Sequence, residues 1–189
     1  MHIRMKDIAK NKSLEIRFLQ TSAARHTFQL TESEDVGGEP IGSLIWEKSR
    51  GSLAIADSVA GRWTFKRQGF LRPVVTARKI TEPDQDLAKF HFNLNGSGTL
   101  VLRDSKQQTF KWSRKGILRP EFQLTSTEKG KKTNLLARFK PCSKITKLEA
   151  DIKLEQEAFL IKEIDLLILM GAYLLVLMRY DDEEAAAAG

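Results

Sequence analysis

A single cysteine, Cys142, stands among 189 residues. One thiol closes no internal disulfide, which excludes the disulfide-stapled class of small folds and fits a reducing compartment. Histidine is nearly as scarce, with three residues at positions 2, 26 and 91. Metal-ligand spacing is absent, no CxxC or sequence-paired histidine accompanies Cys142, and no carboxylate pair suggests acid–base work. His91 falls on the polar phase between Phe90 and Phe92, where a solvated side chain is the plain reading. We therefore expect no catalytic residue, no metal, no cofactor and no enzyme. The opening stretch MHIRMKDIAKNKS has no apolar run behind its charges, so we expect no secretory leader and a cytoplasmic protein.

Also missing is an apolar run long enough to cross a bilayer, which takes about 20 residues. The most apolar stretch, IDLLILMGAYLLVLMRY (164–180), is uninterrupted only from Leu166 to Met178. Lys162, Glu163 and Asp165 break it upstream, and Asp181, Asp182, Glu183 and Glu184 stop it downstream. No polar stripe runs down it, so it does not suit a surface helix. A helix apolar all round is buried in protein or in lipid, and the length favours protein. We expect no transmembrane span.

What is present is alternation. Hydrophobic residues make up 41% and charged residues 29%, enough apolar material for one domain with a core. Leu14, Ile16 and Phe18 alternate with Glu15 and Arg17; Trp63 and Phe65 with Arg62, Thr64 and Lys66; Phe90 and Phe92 with Lys89 and His91; Phe110 and Trp112 with Thr109 and Lys111. Period two gives each strand a buried and a wet face. Turn signals such as EDVGGEP, RQG, SRKG and STEKGKK separate the runs, and NGSG (95–98) reads as another turn because no helix follows it. Counting between turns gives about twelve strands. Such a barrel is too wide for strand side chains alone to fill, and a helix about 10 Å across fits inside it. We expect a mainly β fold: a closed antiparallel barrel over residues 14–180 around a central hydrophobic helix at 155–179. Residues 1–13 form an N-terminal segment and 181–189 a frayed acidic, alanine-rich tail. Gly171 and Ala172 would let a strand approach the helix, and the Tyr173 hydroxyl would need a partner.

The segment TFKRQGFLRP (64–73) returns as TFKWSRKGILRP (109–120). Each reads as a strand, a glycine turn and a second strand opened by proline: either two hairpins of similar composition or a pseudo-duplicated sheet. About twelve strands followed by one hydrophobic C-terminal helix resembles the tubby C-terminal superfamily, which includes the phospholipid scramblases. In size and in GRWTFKRQG followed by a new strand, the chain looks closest to the LURP-one-related branch. The resemblance implies a helix threaded through a closed barrel, phosphoinositide binding as in tubby proteins and membrane association as in scramblases. No acidic calcium cluster and no cysteine cluster of the scramblase kind is present, which speaks against lipid scrambling.

Formal net charge is +7 with a pI near 9.5, which favours anionic partners. Long stretches carry bases without acids: 61–79, 105–120 and 129–147. If the echoed turns share one end of the barrel, Lys66, Arg67, Arg72, Lys111, Arg114, Lys115 and Arg119 make a cationic rim. Otherwise they are ordinary wet strand faces. Such a rim would bind anionic phospholipid headgroups, placing the protein at the membrane periphery, or a protein partner. A structural or regulatory interaction domain without lipid contact is the alternative, and an enzyme with a pocket at the barrel mouth comes third. Single-strand nucleic-acid binders expose aromatics for base stacking; here the aromatics fall on the inward phase, which argues against nucleic acid.

Overall fold

A computed structural model describes residues 13–22, 24, 26–33, 39–48, 51–69, 71–93, 96–103, 108–116, 120–127, 133–142 and 147–189. The expected N-terminal segment therefore lies, apart from Ser13, outside the described residues. Twelve strands follow in order: β1 (Leu14–Ser22), β2 (Thr27–Glu32), β3 (Gly42–Trp46), β4 (Leu53–Ser58), β5 (Gly61–Gln68), β6 (Val74–Lys79), β7 (Ala88–Phe92), β8 (Gly98–Leu102), β9 (Thr109–Lys115), β10 (Glu121–Ser126), β11 (Asn134–Cys142) and β12 (Glu149–Leu154). Each pairs antiparallel with its sequence neighbours. β1 also pairs with β12, Leu14 facing Leu154 and Phe18 facing Ala150, so the sheet closes into a barrel with no free edge.

The alternation sends one residue in two inward, and the inward set is graded in size. Ala54 faces Phe65 and Ala56 faces Trp63 across β4 and β5; all four are buried. Small against large across a pair is how inward side chains interdigitate without voids. The outward set is polar: Glu15, Arg17, Arg62, Lys66, Lys89, Lys111, Arg138 and Lys153 are exposed. A barrel that spans a membrane carries an apolar band on those positions instead.

The chain leaves β12, makes a single 3-10 turn at Gln156–Leu160 and then forms helix α1 (Ile164–Ala188). Every residue from Ile164 to Leu177 is buried, on all sides of the helix. The most apolar segment is thus the pin of the barrel. Among the described residues no helix is long and apolar enough to cross a membrane. The Tyr173 hydroxyl donates to the Ser52 carbonyl, and its ring stacks on Trp46 at 5.1 Å. Gly171 meets β11 so closely that a Cβ there would overlap the Phe139 ring.

Two boundaries differ from the sequence expectation. The helix begins at Ile164, not 155, because Glu157, Lys162 and Glu163 would otherwise carry charge into an apolar bore; the 3-10 turn crosses the mouth and leaves them in contact with water. It also runs on to Ala188 instead of fraying after 179. Alanine is the strongest helix former, and Arg179 pairs with Glu183 one turn on at 2.6 Å.

Candidate functional site

Strand direction alternates, so the connections fall at two mouths. The lower mouth holds the β4–β5 and β6–β7 turns and the start of α1. There Ser58 donates to Asp165, the buried carboxylate of the first helical turn, at 3.3 Å. The upper mouth holds the β5–β6, β7–β8, β9–β10 and β11–β12 connections and the emerging helix. Both echoed hairpins open there. Their likeness extends to hydrogen bonding: Thr76 donates to the Lys66 carbonyl and Thr125 to the Lys111 carbonyl, each at 3.4 Å. Lys66 and Lys111 hold the same place in the two copies of TFK.

Charge is handled differently at the two ends. Around the lower mouth, cations are matched locally: Arg62 with Asp57 at 2.8 Å, Arg78 with Asp86 at 2.6 Å, Lys89 with Asp86 at 3.0 Å and Lys79 with Glu82 at 3.4 Å. Burial alone would raise the Asp86 carboxyl, but hydrogen bonds and charge from Arg78 and Lys89 outweigh it and hold it below the usual carboxylate range. At the upper mouth Arg67 reaches Asp181 on the helix at 2.7 Å. Among the described residues Arg72 and Arg114 have no ion-pair partner.

A cavity of about 1660 Å³ opens beside the helix at this upper mouth, lined by Arg67, Arg72 and Arg114 together with apolar Phe122, Leu175 and Met178. Strand parity explains which bases reach it. Arg67 lies two residues beyond buried Phe65, and Arg114 two beyond buried Trp112. Both are on the inward phase, where the strands run out of core. Lys66, Lys111 and Lys115 take the outward phase and are exposed on the outer wall. The seven expected residues therefore divide: three arginines share the cavity, three lysines sit outside it, and Arg119 lies outside the described residues.

Leu71, which sequence reasoning passed over, lies next to Arg72 and is 86% exposed. It also lines the cavity. Its signal was legible, since a turn between two basic residues is expected to be polar and this one is not. Cys142 lines the same cavity. Burial first, then the Asp151 and Glu149 carboxylates, push its thiol up, and the Sγ donates to Asp151 at 3.7 Å. That keeps it protonated at neutral pH, the reverse of an activated nucleophile. Across the mouth, His26 Nδ1 and the Tyr180 hydroxyl share a hydrogen bond of 2.8 Å. Among the described residues no group of three or more His, Cys, Asp or Glu could hold a metal ion.

No family model, curated protein or solved structure matches this chain.

Proposed function

We propose that this protein is a non-catalytic binding barrel of tubby-like, LURP-one-related architecture that docks reversibly on anionic phospholipid through its upper mouth. The resemblance to that superfamily rests on element order and on the place of the helix. The observation that carries the docking reading is the exposed Leu71 beside Arg72, at the mouth that also gathers Arg67 and Arg114. An apolar tip flanked by bases enters the headgroup region while the bases meet phosphate. Each base near an anionic surface contributes about 1 kcal/mol, and burying a leucine contributes about 2 kcal/mol. Together these give an affinity suited to a peripheral protein that comes and goes, without any membrane span. The raised Cys142 thiol supports a binding role over nucleophilic catalysis.

An acidic protein segment would meet the same arginines. Leu71 favours the membrane, because an apolar side chain 86% exposed beside Arg72 suits insertion among headgroups. Co-sedimentation with phosphatidylserine-containing and pure phosphatidylcholine vesicles separates the two. Binding to the anionic vesicles alone is expected, weakened by salt and lost in the Arg72→Glu/Arg114→Glu double variant. Equal recovery with both vesicle types would remove the lipid reading.

A further inference from the structure

The cavity is much more than a charged rim. It is a broad opening of about 1660 Å³, half open to solvent, with room for more than the roughly 300–1,000 Å³ of a drug-sized ligand pocket. Leu175, 3% exposed and one helical turn inside Arg179, forms with Met178 an apolar floor to this mouth. Phe122, backed by Trp112 stacked at 5.2 Å, forms the facing wall. The lining sets this apolar floor beneath a polar rim that holds Arg72 and Arg114 as well as Asp181 and Asp182, and floor and arginines together call for one ligand with an apolar and an anionic half.

We propose that the upper-mouth cavity takes a single-chain anionic amphiphile, its acyl chain against Leu175, Met178 and Phe122 and its head at Arg72 and Arg114. This rests on the reading that the upper mouth accepts anions and names what one of them looks like. Arg67 is already engaged by Asp181 at 2.7 Å and Arg179 by Glu183 at 2.6 Å, which leaves Arg72 and Arg114 of the lining arginines for the head. Guanidinium groups bind carboxylate and phosphate alike, in bidentate fashion, so a fatty acid and a lysophosphatidate share the required chemistry. A phospholipid with two chains would reach the same head position from a bilayer without placing both chains in the cavity.

The test is saturation of the full-length protein, in detergent-free buffer, with dansyl-labelled undecanoate below its micelle concentration. One saturable site is expected. Laurate, lysophosphatidate or both should displace the probe, and which one does so identifies the source; uncharged monolaurin and inorganic phosphate should not. From octanoate to laurate, affinity should climb by up to about fourfold for each methylene that settles on the apolar floor. Met178→Gln should weaken laurate at least fivefold and leave vesicle sedimentation unchanged. Leu71→Asp should do the opposite. Absent saturation, displacement by monolaurin as good as by laurate, affinity flat with chain length, or unaltered laurate binding in Met178→Gln would each overturn the proposal. Vesicle binding that persists through any of those results leaves the docking reading standing. Laurate binding without vesicle binding removes the docking reading alone.

Discussion

Arg67, at the inward-facing end of β5, holds both carboxylate oxygens of Asp181 at 2.7 Å each. Asp181 begins the acidic turn of the helix immediately beyond the mouth. The chain thus presents its own carboxylate to one of the four arginines that line the cavity. The pair is partly solvated, with side chains 29% and 48% exposed, so it is worth about 1 kcal/mol at most and a headgroup can displace it. Asp181→Asn should therefore raise affinity for phosphatidylserine vesicles several-fold, read by co-sedimentation at fixed salt. Unchanged or weaker binding would show that Arg67 takes no part in docking.

Gly171 sits in the middle of a buried helix, where propensity alone favours alanine by about 1 kcal/mol. Contact with Phe139 reverses the sign, because a Cβ would overlap that ring. We expect Gly171→Ala to lower stability by about 1–3 kcal/mol in urea unfolding, and Phe139→Leu in the same chain to recover part of the loss. A stabilised Gly171→Ala protein would mean that the helix does not lie against β11.

Two buried tryptophans differ in one hydrogen bond. Trp46 donates its indole N–H to the Gly51 carbonyl at 3.0 Å, whereas Trp112 keeps its N–H buried with no partner among the described residues. Trp46→Phe should cost roughly 1 kcal/mol more than Trp112→Phe. Equal denaturation midpoints for the two variants would contradict these placements.

Titration should act at both ends of the pH scale. The Asp86 carboxyl is held low in the fold by Arg78 and Lys89, so its contribution is present above the ordinary carboxylate value of about 3.9 and fades as pH falls through the lower folded value. Asp86→Asn should be less stable than wild type at pH 7, with the difference shrinking below about pH 4. Burial pushes the Tyr173 hydroxyl up; stability tied to it is complete below about pH 10, the ordinary tyrosine value, and declines as pH rises beyond. Tyr173→Phe should lack that alkaline loss.

The barrel was legible because the two-residue period is strict: Phe65, Phe90, Phe110 and Trp112 all face inward as their spacing requires. The same period also sorts the bases. Arg67 and Arg114 share the parity of Phe65 and Trp112, and Lys66 and Lys111 do not. Grouping the residues by turn instead of by parity mixed outer-wall lysines with cavity arginines. The helix ends were less legible. An apolar run marks burial well, but whether Glu157 and Lys162 join a helix depends on where the bore meets water. The Arg67–Asp181 contact spans 114 positions, a separation at which no local pattern pairs two charges.

Leu71→Trp offers the most direct test of docking. The native tryptophans, Trp46, Trp63 and Trp112, are at most 5% exposed, so they form a background that surface contact leaves alone. With phosphatidylserine vesicles the new indole should shift its emission to the blue and be quenched by brominated acyl chains; with phosphatidylcholine alone it should do neither. An indole at position 71 that keeps its water-like emission while the protein sediments with anionic vesicles would contradict the account, because a different face would then be meeting the membrane.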